Sequence, residues 1–371
     1  MEAIEEIYKE RAEKLRILMT HDNTGGFLFT ASPNLLYMTG FSEGQMPRFL
    51  SLFVPTDHEP VFLVPALYEA QIRENTWIET VIPWADGENP FAKMKYLLSS
   101  KGLDTSQIAV DDTLWSLFLL NLQEQLPEVR FVSGGKYMKP LRRVKSQYEK
   151  ELMMRIGAIT DEVMGKTIDC LEPGIPEQDI VDLIQTELRK MGAGPSTAQP
   201  IVGSGLYSAQ PHYKPKGGKT IEQGDAVVLD FGGTLEHYHS DMTRTVFVGE
   251  PDTEFLRIYD TVRKAHDAAM AFAGPGAKCE DVDHAARRII TESGYGEYFI
   301  HRTGHGIGLE VHEEPYIVEG NTTILEPGMA FSIEPGIYIP GRYGVRIEDC
   351  VIVTEAGVEP FTKFRSELIV I

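Results

Sequence analysis

Two pairs of acidic residues lie at the ends of short apolar runs in the second part of this sequence. Asp230 ends the run AVVLD and Asp241 begins DMTRTVFVG, whereas Glu334 follows MAFSI and Glu348 follows YGVRI. The stretches between the runs, GGTLEHYHS and PGRYG, read as turns, so each pair predicts a β-hairpin. The two acids of a pair then lie nearly opposite each other, with the first hairpin centred just before Glu236.

Strand alternation separates these acids from their apolar neighbours. Phe331 and Ile333 lie on one face of the predicted strand, and Ser332 and Glu334 lie on the other. Four carboxylates that converge beside apolar faces cannot all stay ionised unless they are paired or bound to cations. Because Arg346 neutralises only part of this charge, the pattern predicts a pair of divalent metal ions. One acid pair alone would more simply be two ordinary strand-end residues, but two pairs in matching positions favour a metal site.

The matching positions come from an internal repeat. EPGIPEQDIVDLIQTELRKMGAG, from Glu172, resembles GPGAKCEDVDHAARRIITESGYG, from Gly274, and IEQGDAVVLDFGG resembles LEPGMAFSIEPGI. Asp230 of the first copy therefore matches Glu334 of the second. Each copy reads as helix, helix, strand and hairpin, which predicts an α+β domain with pseudo-twofold internal symmetry. A site between the copies would receive side chains from both.

His305 is the histidine best placed to bind a metal ion. Gly304, Gly306 and Gly308 surround it in HRTGHGIG, where they allow close approach of backbone and ligand. Four carboxylates and one imidazole form a fairly hard donor set. Such a set favours manganese or cobalt, with zinc or iron also compatible.

Two further histidines fall at comparable points of the repeat, His212 in AQPHYKP and His312 in LEVHEEP. The repeat favours both as groups that flank the metal ions. His237 and His239 lie at the tip of the first predicted hairpin. They are interpreted as solvated loop residues, which is what most loop histidines are.

Length and composition favour two soluble domains. A chain of 371 residues exceeds what one core usually fills. Short strands alternating with helices predict an α/β domain over residues 1–140, and longer helices from Ser146, with Glu149 completing a capping box, predict a second domain over residues 146–371. The formal net charge of −20 argues against a nucleic-acid partner, because it repels phosphate backbones.

The sequence also favours a cytoplasmic protein with no membrane partner. The segment MEAIEEIYKERAEKLRILM is acidic and lacks the basic start and apolar run of a signal peptide. No stretch reaches membrane-spanning length. The three cysteines form no disulfide framework, which fits a reducing compartment.

The combined motifs resemble the pita-bread metallopeptidases, specifically the prolidase and aminopeptidase P branch. VLDFGG, HSDMTRT, HRTGHGIGLEVHEEP, FSIEPGIYI and VRIEDCVIVT occur in the order of that branch's ligand-bearing segments, and NLLYMTGF resembles its N-terminal domain. The resemblance covers residues 146–371 and implies a pita-bread fold there. It also implies that Asp230 and Glu348 bridge two metal ions, that Asp241 completes one ion, and that His305 with Glu334 completes the other.

The resemblance further implies roles for groups around the metals. Glu334 would carry a proton from water toward the leaving nitrogen, while His212, His301 and His312 would contact substrate or transfer protons. His312 is a candidate donor to the substrate carbonyl and His212 to the substrate backbone. Arg342 or Arg346 is a candidate for binding a free C-terminal carboxylate. For Arg346, partnership with the ligand carboxylates is an equally compatible role.

The function implied by this resemblance is hydrolysis of the bond before proline in small peptides, by a homodimeric enzyme. Two metal ions at such a site activate water and polarise the scissile carbonyl. An Xaa-Pro dipeptidase is the first hypothesis, and an Xaa-Pro aminopeptidase on longer peptides is the second. A hydrolase of a non-peptide C–N bond and a non-catalytic binding protein are the two further alternatives.

Overall fold

The structure is a computed structural model that describes residues 2–194, 199–215 and 217–371. The chain divides into two compact units, Met1–Arg142 and Arg143–Ile371. Among the described residues, no helix combines the length and the apolar character that crossing a membrane requires.

The first unit is an α/β domain built on one mixed sheet. Its strands are β1 (Thr24–Thr30), β2 (Ser51–Pro55), β3 (Val61–Pro65), β4 (Thr80–Trp84), β5 (Gln107–Val110) and β6 (Arg130–Ser133). Its helices are α1 (Glu2–His21), α2 (Pro33–Thr39), α3 (Glu69–Asn75), α4 (Pro90–Ser100), α5 (Ser116–Gln125) and α6 (Gly135–Arg143). The strand order is β4-β3-β2-β1-β5-β6, with β1 antiparallel to β2 and parallel to β5.

In the second unit, the described residues form four long helices and several small sheets. The helices are α7 (Gln147–Asp169), α8 (Glu177–Lys190), α9 (Thr253–Phe272) and α10 (Cys279–Glu292). The strands are β7 (Ile201–Ser204), β8 (Ala226–Phe231), β9 (Thr234–Leu235), β10 (Tyr238–His239), β11 (Met242–Phe247), β12 (Gly304–Gly306), β13 (Glu313–Ile317), β14 (Ala330–Ile333), β15 (Gly336–Tyr338), β16 (Gly344–Arg346), β17 (Asp349–Thr354), β18 (Gly357–Pro360) and β19 (Ile369–Val370). The predicted capping box of Ser146 and Glu149 begins α7.

The predicted internal repeat is visible in this unit. A helix pair, α7 with α8, precedes the sheet β19-β11-β8-β7, and a second pair, α9 with α10, precedes the sheet β13-β12-β14-β17-β18. The unit buries two apolar clusters. One includes Val227 and Leu229 of the first half, and the other is built mainly on the second half around Phe331, with Ala226 and Phe247 of the first half joining it. The halves meet where Thr243 bridges to Glu348, whose backbone N–H donates to the Thr243 carbonyl at 3.1 Å.

The second hairpin has the predicted register, and the first is shifted. Ile333 pairs with Asp349 and Gly336 with Arg346, so Glu334 lies opposite Glu348. In the first hairpin Asp230 pairs with Thr243 instead of Asp241.

The shift in the first hairpin comes from its turn. The segment expected to be an irregular turn pairs as β9 and β10, and Glu236 and His237 form its tip with φ of 47° and 69°. The centre of the first hairpin therefore falls between Glu236 and His237, one residue later than predicted. Asp241 still lies on the face of Asp230, because it is two residues from Thr243 and side chains alternate along a strand.

Candidate metal centre

A cavity of about 420 Å³ in the second unit brings the predicted ligands together. Its wall includes the five predicted metal ligands and the three predicted histidines: Asp230, Asp241, His305, Glu334, Glu348, His212, His301 and His312. Arg346 and Arg302 also line it, together with apolar side chains such as Phe231 and Val311. Side chains from both halves of the repeat thus face one cavity.

Strand ends position the acidic residues. Asp230 lies near the end of β8 and Asp241 immediately before β11, while Glu334 follows β14 and Glu348 precedes β17. One ligand atom from each of Asp241, His305 and Glu348 lies within 4.8 Å of the other two. His305 Nε2 also lies 3.3 Å from Glu334 Oε1. These side chains can therefore hold a cation without a change of fold.

The glycines around His305 serve strand packing. A Cβ atom at Gly304 would lie 1.8 Å from the Ser332 carbonyl oxygen, and one at Gly306 would lie 2.3 Å from the Glu314 carbonyl oxygen. The glycines of HRTGHGIG therefore allow close approach of the neighbouring strand backbones at Ser332 and Glu314, rather than of a ligand. The effect is to bring His305 on β12 close to the acid at the end of β14.

His305 has the protonation state that a metal ligand needs. Its backbone N–H donates to Ser332 Oγ at 3.1 Å, and its Nδ1 lies 3.1 Å from the Gly306 carbonyl oxygen. Burial, and after it the neighbouring His312, lowers the pKa of His305 to about 3. The ring is neutral at physiological pH, and a neutral imidazole can ligate a metal through its free nitrogen.

The buried carboxylates fit a divalent cation. Burial, followed by the neighbouring carboxylates, raises the pKa of Asp241 and that of Glu348 well above their ordinary values, and burial raises the pKa of Glu334 to about 7. Thr243 Oγ1 donates to Glu348 Oε2 at 2.7 Å. Among the described residues, Glu348 Oε1 is buried with no hydrogen-bond partner. An unpaired buried oxygen among like charges needs either a proton or a cation.

Arg346 is a cation that the protein itself supplies to this cluster, and it bonds directly to one of the carboxylates. Its Nη2 pairs with the Asp230 carboxylate, its Nη1 donates to Tyr338 Oη at 2.6 Å, and its Nε donates to Thr243 Oγ1 at 3.0 Å. All three nitrogens are therefore engaged. This geometry favours the role of a partner to the ligand carboxylates.

Arg342 lies elsewhere. Among the described residues, the cavity wall contains Arg346 but not Arg342. Arg342 lies in the turn between β15 and β16, where its guanidinium is exposed and pairs with Glu254 and, at 3.6 Å, with Asp252. The expectation that it binds a substrate carboxylate is therefore not supported, because a turn residue is not held to the acid face by strand alternation.

The sequence reasoning missed Tyr338. Its hydroxyl lies 2.9 Å from His301 Nε2 and accepts from Arg346, so it links a cavity histidine to the ion pair with Asp230. Side chains alternate along a strand, so the spacing of Glu334, Gly336 and Tyr338 places Tyr338 on the same face as the acids. Its position could therefore have been predicted from the sequence. His239 was interpreted as solvated, but it is buried, and its backbone N–H donates to the Gly308 carbonyl at 2.9 Å.

Comparison with known proteins defines the class of this chain. Residues 151–355 match the profile of Metallopeptidase family M24, and residues 11–144 match the Creatinase/Prolidase N-terminal domain. A probable dipeptidase, PepE of Mycobacterium tuberculosis, is 39% identical over 370 residues, which cover 99% of this chain and 97% of the relative. The solved prolidase of Thermococcus sibiricus superposes with a TM-score of 0.94 at 35% identity, covering 98% of this chain and 99% of that one.

This protein belongs to metallopeptidase family M24. The resemblance to the prolidase branch and the expected fold, an α/β domain followed by a pita-bread domain, are confirmed. An Xaa-Pro dipeptidase of Lactobacillus delbrueckii subsp. lactis is a further relative, 37% identical over 344 residues that cover 92% of this chain and 93% of the relative. A metallopeptidase uses a divalent metal cofactor, and the donor set in the cavity fits one.

The raised carboxyl pKa values predict that metal stabilises the protein more at high pH than at low pH. Between the ordinary value of 4.5 and about 7 for Glu334, the metal-free folded protein holds protons that the unfolded chain has lost. Its stability therefore falls as pH rises through that window. A bound divalent ion removes this loss, because it neutralises the ionised carboxylates.

We expect the increase in melting temperature on adding Mn²⁺ to EDTA-treated protein to be at least about 4 °C larger at pH 8 than at pH 5. Thermal unfolding in matched buffers measures it. An increase that is the same at both pH values would contradict the proposed link between these protons and the metal site.

Proposed function

We propose that this protein is an Xaa-Pro dipeptidase, which hydrolyses the bond before proline in dipeptides with two divalent ions, manganese or cobalt. The observation that carries the proposal is the cavity in which four carboxylates and one imidazole converge from two halves of a repeat. Similarity over nearly the whole chain to proteins named Xaa-Pro dipeptidase and prolidase supports this substrate class.

The proposed ligand roles follow the family pattern. Asp230, Asp241, His305, Glu334 and Glu348 would hold the two ions. The number of carboxylates in the cavity supports a high positive charge at this site, and the family pattern supports two ions. When bound, the ions supply the Lewis acidity that activates water and polarises the scissile carbonyl.

The surrounding side chains bind the substrate and move protons in this proposal. The Glu334 carboxylate carries a proton from the attacking water to the proline nitrogen, which leaves as an amine. His312 lies with its ring 4.1 Å from that of His305 and donates to the carbonyl oxygen, while His212 donates to the substrate backbone. His301 is held at both ring nitrogens, by Tyr338 Oη at 2.9 Å and by the Arg302 carbonyl at 2.7 Å, which fixes the ring in the cavity wall to contact the substrate.

Arg346 has the role of holding Asp230 rather than of binding a substrate carboxylate. Its guanidinium already bonds Asp230, Tyr338 and Thr243, so a substrate carboxylate would have to displace one of them.

Peptide length tests the proposal directly. The protein is loaded with Mn²⁺ or Co²⁺, its metal content is measured, and it is assayed on Ala-Pro, Ala-Pro-Ala and the non-proline control Ala-Ala. We expect two ions per chain, a kcat/KM for Ala-Pro at least about 10-fold above that for the tripeptide, and loss of activity in EDTA.

Hydrolysis of Ala-Ala as fast as that of Ala-Pro would contradict the proline specificity, and three other outcomes each support a stated alternative. Preference for the tripeptide indicates an Xaa-Pro aminopeptidase. Bound metal without hydrolysis of either proline peptide indicates a hydrolase of a non-peptide C–N bond. A protein that neither binds metal nor hydrolyses any peptide is a non-catalytic binding protein.

The homodimer implied by the family resemblance is also a proposal. The mass of one chain is 41.5 kDa. Size-exclusion chromatography with light scattering is expected to give twice that mass, and a mass equal to one chain would contradict the dimer.

A further inference from the structure

Two buried acidic residues outside the cavity bond the segments that carry its histidines. Glu177 lies on α8 and Asp283 on α10, and both are fully buried, with 0% of their surface exposed. Among the described residues, the cavity wall contains neither of them. A buried carboxylate is costly unless it is paired or hydrogen-bonded, so the partners of these two residues show what they hold.

Asp283 holds the segment that contains His301. Its Oδ1 accepts from the Thr303 backbone N–H at 3.1 Å and from Thr303 Oγ1 at 2.7 Å. Both of its oxygens also pair with Arg287, at 2.8 and 2.9 Å. Arg287 in turn donates to the His301 carbonyl at 2.9 Å and to the Phe299 carbonyl at 3.2 Å. The acid and its partner thus fix the backbone on both sides of Arg302, at His301 and at Thr303.

The same anchor reaches a proposed metal ligand. The Thr303 carbonyl accepts from the backbone N–H of Glu334 at 2.7 Å. Asp283 therefore fixes the N–H and hydroxyl of Thr303, while the carbonyl of the same residue fixes Glu334. A displacement of this segment would move His301 and Glu334 together.

Glu177 holds the segment that contains His212. Its Oε1 accepts from the Ser204 backbone N–H at 2.8 Å and from Ser204 Oγ at 2.7 Å, and its Oε2 accepts from Tyr213 Oη at 2.9 Å. Tyr213 is buried and directly follows His212, which is exposed to the cavity. On the other side of His212, the Pro211 carbonyl accepts from Arg346 at 3.4 Å.

We propose that Glu177 and Asp283 are positioning residues, and that each half of the domain uses one buried helix carboxylate to place its own active-site histidine. Both acids bind the N–H and the hydroxyl of one Ser or Thr residue, which is a bidentate contact that fixes the backbone. Glu177 acts on His212 and Asp283 acts on His301. The inference rests on the proposed function for the roles of those two histidines.

Hydrogen exchange of the metal-free protein tests the positioning without any activity. We expect Asp283→Asn to speed exchange at the Thr303 and Glu334 amides by about 10-fold or more, with the Ser204 amide unchanged. Glu177→Gln is expected to speed exchange at the Ser204 amide by a similar factor and to leave the Thr303 and Glu334 amides unchanged. Each variant is nearly isosteric and serves as the control for the other. Unchanged exchange at the bonded segment, or faster exchange at both segments in both variants, would overturn the proposal.

Double-mutant cycles on Ala-Pro hydrolysis test whether the effect passes through the histidines. We expect Glu177→Gln to lower kcat/KM by about 10-fold or more in the wild-type and His301→Ala backgrounds, but by less than about threefold in His212→Ala. For Asp283→Asn we expect the full loss in the wild-type and His212→Ala backgrounds. In His301→Ala we expect a smaller loss that does not vanish, because the Asp283 anchor also reaches Glu334 through Thr303. Equal losses in all backgrounds would indicate a merely structural role and would overturn the proposal.

The two experiments separate this proposal from the proposed function. A wild-type protein that hydrolyses no proline dipeptide would contradict the dipeptidase assignment, and the exchange measurement would still decide whether the two acids position their segments. Asp260→Asn, which removes an exposed ion pair with Lys264 on α9, is the matched control. It is expected to leave exchange and hydrolysis unchanged, and an effect as large as that of Asp283→Asn would count against the proposal.

Discussion

Replacement of Asp241 by alanine is expected to lower kcat/KM by about 10³-fold or more, or ~4 kcal/mol of transition-state stabilisation. The variant loses one oxygen donor from the group in which Asp241, His305 and Glu348 lie within 4.8 Å of one another. We expect metal content to fall to one ion per chain or less. Elemental analysis of the purified variant and an assay on Ala-Pro measure the two effects.

The same variant is expected to be at least as stable as the wild type when both are metal-free. Burial and the neighbouring carboxylates already disfavour the ionised form of Asp241, so its removal relieves repulsion. Its melting temperature in EDTA should equal or exceed that of the wild type, whereas its response to Mn²⁺ should largely disappear. Asp260→Ala, at an exposed carboxylate on α9, is the control. Full metal binding and activity in the Asp241 variant would contradict the proposed ligand set.

Replacement of Arg346 by methionine is expected to weaken Mn²⁺ binding by about 10- to 100-fold at pH 7. Arg346 lowers the pKa of Asp241, Glu334 and Glu348, although burial outweighs it in each case. Without the guanidinium these pKa values rise further, so protons compete better with the metal. The loss of affinity should therefore be larger at pH 6 than at pH 8, which calorimetric titration at the two pH values measures.

The Arg346 variant is also expected to lose roughly 3 kcal/mol of metal-free stability, at the low end for a broken buried ion pair because the carboxylates can take up protons instead. Arg342→Met is the matched control, since Arg342 lies on the same hairpin but is exposed and pairs with Glu254. We expect that variant to bind Mn²⁺ and to hydrolyse Ala-Pro as the wild type does. A loss of activity in the control would restore Arg342 as a candidate for substrate binding.

The repeat and the strand alternation were sufficient to predict which acids converge. The second hairpin could be placed at the correct register because Gly341, with φ of 74°, lies at the centre of a recognisable turn sequence. The first hairpin turns at Glu236 and His237, residues that rarely adopt positive φ, so its centre was predicted one residue early. Convergence survived this error because moving the centre by one residue moves the partner of Asp230 by two, from Asp241 to Thr243, and side chains two residues apart share a face.

Contacts between distant elements were beyond the reach of the sequence patterns. Alternation along β16 places Arg346 on the acid face, but it says nothing about Arg342 in a turn. Asp283 and Glu177 lie on amphipathic helices, where a buried acid looks like any other polar residue until its partner is known. Their partners Thr303 and Ser204 are on other elements, so only the three-dimensional fold reveals those hydrogen bonds.

The bridge between Thr243 and Glu348 places the acid cluster at the boundary between the two halves of the repeat. A small separation along that boundary would part Asp230 and Asp241 from Glu334 and Glu348 while most of both apolar clusters stayed buried. Inactivation can therefore precede denaturation. Bound divalent ions would link the two halves, so they would resist this separation more than they resist complete unfolding.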